Sequence, residues 1–221
     1  MTTPSRAWLA ASLTLAGSLA PAALHAHPHV FAEASLGISV NPDTTVGTLK
    51  HLWRFDDLFS STVLMEFDQN QDLKLDDTEL EEVASTVHQS LAEYNYFQIV
   101  TVDGKDVRMA APDRLIATFE DNQLTILFES KPAEPLRLAG KVAFGVYDPT
   151  FYTAIDFVED RYMTVEMKPE TCTARVVRPD PDEAIAQNQE SLTEAFFDDP
   201  GGNDLSKMFA TRLELDCAKG D

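Results

Sequence analysis

Apolar and polar positions alternate through residues 29–40 and again from Val46 to Phe55, with Asn41-Pro42-Asp43 between them. A period of two predicts strands, so these segments are expected to form a β-hairpin. In the second, Leu49, His51, Trp53 and Phe55 share one face, and Lys50, Leu52 and Arg54 point the other way. The period then lengthens. Residues 56–66 suit a helix with Leu58, Phe59 and Val63 on one side, and Leu80, Val83, Ala84, Val87 and Leu91 recur at helical spacing. After Tyr94 the alternation returns, with hairpins expected at 97–109 around Asp103-Gly104 and at 115–128 around Glu120-Asp121-Asn122. Further strands are expected at 141–147, 151–158, 162–167, 171–177 and 211–217, with Pro179 and Pro181 closing the strand-rich stretch. Residues 182–203 are acidic and turn-rich, with a short helix carrying Ile185, Leu192 and Phe196. The expected fold class is α+β: an antiparallel sheet or sandwich with one helical, EF-hand-like insertion at 56–92.

That insertion holds the most specific local motif, the twelve residues from Asp68 to Glu79. A calcium loop asks for oxygen ligands at positions 1, 3, 5 and 9, a backbone carbonyl at 7 and a bidentate Glu at 12. Asp68, Asn70, Asp72, Asp76 and Glu79 supply the side chains, and Lys74 the carbonyl. The sixth position is Leu73, where the loop turns sharply through positive φ and glycine is usual; another residue there costs about 1–2 kcal/mol. Calcium is therefore expected to bind with modest affinity, in a structural role. The competing reading is a degenerate loop that keeps its fold and has lost the ion.

The start of the chain changes the setting. Arg6, the apolar run from Ala7 to Ala20 and the small residues after it form an export signal too short to span a bilayer. Ala20-Pro21-Ala22 and Leu24-His25-Ala26 both offer cleavage sites, and cleavage after Ala26 is the expected one, leaving 27–221 as a single domain without a membrane anchor. The whole chain carries 17 Lys+Arg against 37 Asp+Glu, a net charge of −20. Such a surface repels nucleic acid and anionic membrane, while attracting cations or simply keeping the protein soluble. In an exported chain the only cysteines, Cys172 and Cys217, are expected to pair.

Three of the five histidines, His25, His27 and His29, lie within five residues. If His27 heads the exported protein, its α-amine and imidazole form a chelate for a transition metal, with His29 adding a third nitrogen. Pro28 holds this segment out of the helical region and removes an amide N–H, so the amide-bound copper/nickel motif is blocked. The plain alternative is a polar start to a strand. His51, among apolar neighbours, reads more readily as a core residue than as a ligand, and His88 as a surface residue at the border of its helix's apolar stripe. Asp148-Pro149 suits a tight turn, and Tyr147, Phe151 and Tyr152 around it make Asp148 a candidate pocket wall. There is no glycine-rich phosphate loop, nucleophile elbow or zinc-protease motif.

With HPHVF at 27–31, HLWRFDDLFS at 51–60, FDQNQDLKLDDTEL at 67–80, YNYF at 94–97, YDPTFY at 147–152 and the two late cysteines, the chain resembles the periplasmic domain of unknown function 1007. Its relatives usually have Gly where Leu73 stands. The resemblance implies a non-enzymatic periplasmic partner of an inner-membrane nickel/cobalt-type permease, since members are encoded beside such permeases and a Zev-type pair is implicated in zinc acquisition. It also raises His51 as a ligand beside His27 and His29 on adjacent strands, with Asp148 fourth. The expected cargo is zinc first, nickel or cobalt next. Two rivals stand beside it: a copper enzyme with an amino-terminal histidine brace completed by His51, and a calcium-stabilised scaffold or adhesion domain.

Overall fold

A computed structural model describes residues 28–188 and 205–218. β1 (Val30–Val40) and β2 (Val46–Phe55) form the expected antiparallel hairpin, with Leu36 opposite His51 and Ala32 opposite Phe55. Every second residue of β2 from Leu49 to Phe55 is buried and those between are exposed, as the alternation requires. β5 (Leu115–Glu120) and β6 (Gln123–Ser130) follow as a second hairpin, and β6 pairs with β2. Asp121 and Asn122 both take positive φ at its turn, the conformation that matches the twist of a tight hairpin.

The second sheet is antiparallel throughout, in the order β10 (Cys172–Val177), β11 (Arg212–Cys217), β7 (Gly140–Val146), β3 (Gln98–Val102) and β4 (Lys105–Asp106). One apolar core runs through both sheets, with Leu36, Trp53 and Ile126 from the first and Val100, Phe144 and Leu215 from the second. Cys172 and Cys217 stand directly opposite each other on β10 and β11 and form a disulfide.

Several expectations need correction. The first sheet is mixed, because β8 (Thr153–Asp156) and β9 (Met163–Glu166) both pair with β1 in parallel. The preceding strand β7 belongs to the other sheet, so the chain re-enters alongside β1 in the same direction instead of folding back as a hairpin. The strand expected at 105–109 shrinks to two residues, and Met109 instead bridges to Pro132. The strand-rich stretch does end before Pro181, and the expected short helix with Ile185 follows as α3 (Pro181–Gln187), capped by Asp180, because a missing N–H costs nothing at the first helical position. Leu192 and Phe196 lie outside the described residues.

α1 (Asp57–Phe67) and α2 (Asp77–Leu91) follow β2, at the two stretches of helical spacing. Asp56 caps α1 through the Phe59 N–H at 2.9 Å and also accepts the Phe31 N–H at 2.8 Å, so one carboxylate ties the helix start to the head of β1. Against the upward push of burial, those N–H groups hold its pKa below the usual carboxylate value. The buried face of α1 is Ser60 and Val63, whereas Leu58 is exposed. Ser60 Oγ accepts the Leu124 N–H at 2.9 Å, and that bond turns the serine, not Leu58, toward β6. No helix among the described residues is long and apolar enough to cross a membrane.

Candidate metal sites and an aromatic cleft

The loop between α1 and α2 is closed by its own carboxylates. Asp68 accepts the N–H groups of Asp72 (3.1 Å) and Leu73 (2.8 Å), Asn70 accepts that of Asp72 (2.8 Å), and Asp72 that of Lys74 (3.0 Å). Leu73 has φ of 63°, the turn that its place in the motif demands, and its side chain is exposed. Asp76 and Glu79 form a capping box at the head of α2. Glu79 Oε2 accepts the Asp76 N–H at 2.9 Å and Oε1 accepts the Gln69 N–H at 2.8 Å, and the residue is buried. The oxygens expected as ligands therefore organise the loop backbone, and Glu79 in particular is engaged on both oxygens. Among the described residues, no three His, Cys, Asp or Glu side chains are grouped closely enough to hold a metal ion.

Of the four residues expected to share a transition metal, His51 is set apart from His29, and Asp148 lies on the His29 side. His27 lies outside the described residues. His29 is exposed just before β1, its N–H bonded to Tyr152 O at 2.9 Å and its ring 5.2 Å from that of Tyr152. His51 pairs with Leu36, seven residues further along β1, which separates it from His29 by about 23 Å at a strand's 3.3 Å rise. Two nitrogens on one metal lie within a few Å of each other, so His51 and His29 do not share one metal ion. Asp148 is on the His29 side of the molecule, since it accepts the Thr153 N–H at 2.8 Å and Thr153 pairs with Val30. Its other oxygen takes the N–H (2.8 Å) and hydroxyl (2.7 Å) of Thr150. It is the turn former and pocket wall read from Asp148-Pro149, with its acceptors already occupied.

His51 is instead the centre of a buried polar group. Only 2 % exposed, it stacks on Phe128 with ring centres 4.3 Å apart. Its Nε2 lies 3.5 Å from Ser130 Oγ, which donates to Gln98 Oε1 from the second sheet. Burial pushes its pKa down to about 3, against an opposing pull from Gln98, so the ring is neutral at physiological pH. Nδ1 has no hydrogen-bond partner. His88, expected at the surface, is half-buried and bonds Pro112 O at 2.9 Å and the Tyr96 hydroxyl at 3.2 Å.

Sequence reasoning missed a cleft of about 400 Å³ between α2 and the first sheet. Trp53 and Phe55 of β2, Phe59 of α1, Tyr94 and Phe97 of the turn after α2, and Tyr152 line it. Asn95, Tyr96 and Phe97 all take positive φ, as does Phe151. Left-handed backbone in bulky residues costs roughly 1–2 kcal/mol each and persists only where the surroundings enforce it. A wider hollow of about 750 Å³ lies on the second sheet's outer face, where Arg175 and Arg212 both pair with Glu214, and Lys207 pairs with Asp106.

Residues 12–217 match a protein family described as "Protein of unknown function (DUF1007)". The chain belongs to that family. An "Uncharacterized 15.5 kDa protein in trpE 3'region" of Spirochaeta aurantia is 27% identical over 95 residues, 43% of this chain and 68% of its own length. In this member of DUF1007, four of the five stretches quoted above for the resemblance supply walls of the cleft: Val30 from the first, Trp53, Phe55 and Phe59 from the second, Tyr94 and Phe97 from YNYF, and Asp148 and Tyr152 from YDPTFY. The acidic loop is the stretch that stays apart. The aromatic residues were visible in the sequence, but nothing local to any of them shows that they meet.

Proposed function

We propose that this protein is a non-enzymatic periplasmic accessory of a divalent transition-metal transport system, exported by cleavage after Ala26. It holds zinc, or nickel or cobalt, as cargo at its amino-terminal histidines and passes the ion to an inner-membrane permease. One observation carries this reading. His29 is exposed, and Tyr152 O anchors the backbone N–H groups of both His29 (2.9 Å) and Val30 (3.2 Å), so an exposed imidazole stands on a fixed strand two residues from His27. The His27 amine and the two imidazoles supply nitrogen ligands suited to these metals, and an exposed site suits an ion that must leave again. The net charge of −20 favours cation approach. Because His51 and Asp148 do not join it, permease groups or water complete the coordination.

Zinc titration of the exported protein against a His27→Ala/His29→Ala variant tests the reading. The variant is expected to bind at least about a hundredfold more weakly, since each of its two lost imidazoles removes more than about 1.4 kcal/mol. Equal affinities would sink the assignment, whereas His51→Gln is expected to leave zinc affinity unchanged. Affinity is also expected to fall about tenfold per pH unit below the amine pKa of roughly 7.7–8.0, because the amine must be deprotonated to bind.

The loop supports a second, compatible reading, a calcium-stabilised EF-hand-like insertion. Leu73 already adopts the positive φ of the sixth position, and Asp68 binds the N–H groups of the fifth and sixth. Asp68, Asn70, Asp72, Asp76, Glu79 and the Lys74 carbonyl would hold the ion, with Glu79 exchanging its backbone partners for calcium. Calcium is expected to raise the melting temperature of the native chain and not of Asp68→Ala; no response in the native chain rules this out.

A further inference from the structure

We propose that the free edge of β10 takes an extended acidic segment of another protein as an added strand. The first argument is the backbone. Among the described residues β10 ends the second sheet, with β11 its one neighbour. Cys172 gives its N–H to Pro169 O at 3.0 Å and takes Lys168 Nζ on its carbonyl, so both groups point away from β11. Its Cα lies 4.0 Å from that of Cys217, the close spacing of a pair that exchanges no backbone bonds. Antiparallel pairing alternates. Thr173, Arg175 and Val177 therefore bond β11, while Ala174 and Val176 turn their N–H and C=O groups outward. Those four groups have no partner among the described residues, and Ala174 is exposed. Such a row is a template for one more strand.

The second argument is charge. The hollow on this sheet's outer face is walled by Lys141, Arg175, Lys207 and Arg212 against Glu214 and Asp216. That reverses the balance of the whole chain, 17 Lys+Arg to 37 Asp+Glu. Arg175 stands on the edge strand itself, its side chain 75 % exposed, with Nε and Nη2 on Glu214 and Nη1 left over. In an added antiparallel strand the residue opposite Arg175 shares its face, with Cβ atoms about 4.5–5.5 Å apart, within reach of a carboxylate. Acidic residues at alternate positions then lie along the hollow's rim, while the strongly acidic remainder of the surface repels them.

A second copy of the chain fits this edge less well. Engaging Ala174 and Val176 of both copies sets their Arg175 side chains directly opposite each other and joins two chains of net charge −20.

The probe is a labelled peptide, TEVEVEV, whose glutamates fall on one face of a strand, read by fluorescence anisotropy with the whole exported protein. It is expected to bind saturably, and its lysine counterpart TKVKVKV is not. Methylating the valine amide nitrogens removes the bonds to β10 and keeps the charge, and is expected to weaken binding at least about tenfold. Arg175→Glu is expected to weaken the native peptide by at least about the same factor with the fold intact by circular dichroism. So is Ala174→Pro, which puts a ring in place of an outward N–H and leaves the bonds to β11 alone. If Ala174→Pro does not fold, the methylated peptide gives the same reading on the native chain. No saturable binding below about 1 mM, equal binding of the lysine peptide, or undiminished binding after valine methylation overturns the proposal. Undiminished binding to either folded variant does so too. Dimerisation that Ala174→Pro abolishes, without peptide binding, assigns the edge to a second copy and likewise overturns it. None of these outcomes depends on metal binding at the amino terminus.

Discussion

The acidic loop and the His51 cluster are both polar groupings in a protein organised around apolar strands, and they are built in opposite ways. The loop's side chains bond backbone N–H groups no more than ten residues away, as with Glu79 and Gln69. The cluster joins His51, Gln98 and Ser130 from three strands of two sheets, separated by up to 79 residues. The loop carboxylates, even the buried Glu79, need only their own backbone, whereas the buried histidine depends on partners brought by packing and still leaves Nδ1 unmet. A local polar group can be satisfied wherever its segment goes. A long-range one is only as good as the assembly around it, and its loss is felt by the whole fold.

The largest effect should come from the other long-range tie. Cys172→Ser/Cys217→Ser opens a loop of 45 residues and is expected to cost about 4 kcal/mol of unfolding free energy in denaturant melts. A loss well under 1 kcal/mol would mean that the pairing of β10 with β11 secures this edge without the bridge.

Next is the pH response of His51. Its folded pKa of about 3 lies below the ordinary value of 6.5, so the unfolded chain takes up the proton first. Stability is therefore undiminished by this group above pH 6.5 and is lost as pH falls from there toward 3, by about 1.4 kcal/mol per unit. His51→Gln removes that dependence. The variant should be less stable than the native chain at pH 7.5, because it loses the Phe128 stacking, and the gap should narrow by about 2–3 kcal/mol at pH 4.5. A gap independent of pH would show that His51 titrates normally and that the cluster is more open than it looks.

On the loop side the effects are smaller. Asp76→Ala removes the cap on α2 and is expected to cost about 1 kcal/mol, read as a lower urea midpoint with unchanged slope. Leu73→Gly relieves the left-handed strain but loosens the unfolded chain, for a net gain of about 0.5 kcal/mol. A loss instead would mean that the exposed leucine makes a contact worth more than its strain.

What could be read in advance follows the same division. The faces of β2, the turn at Asp121-Asn122 and the positive φ of Leu73 follow from neighbours in sequence, and the pairing of Cys172 with Cys217 from their being the chain's two cysteines. The distance of His51 from His29 did not follow, because strand period places His51 on a face but not at a height along the sheet. The pairing of Leu36 with His51 decides that height, and with it the separation from His29.

The sequence by itself determined most of the strands and the two helices with the loop between them, since periodicity and capping act over a few residues. The tertiary structure alone decided that β8 and β9 run parallel to β1, that His51 is a neutral core residue, and that aromatic residues from distant stretches enclose one cleft. Those outcomes depend on register and on which sheet each strand joins, and both are set when the whole apolar core is buried at once.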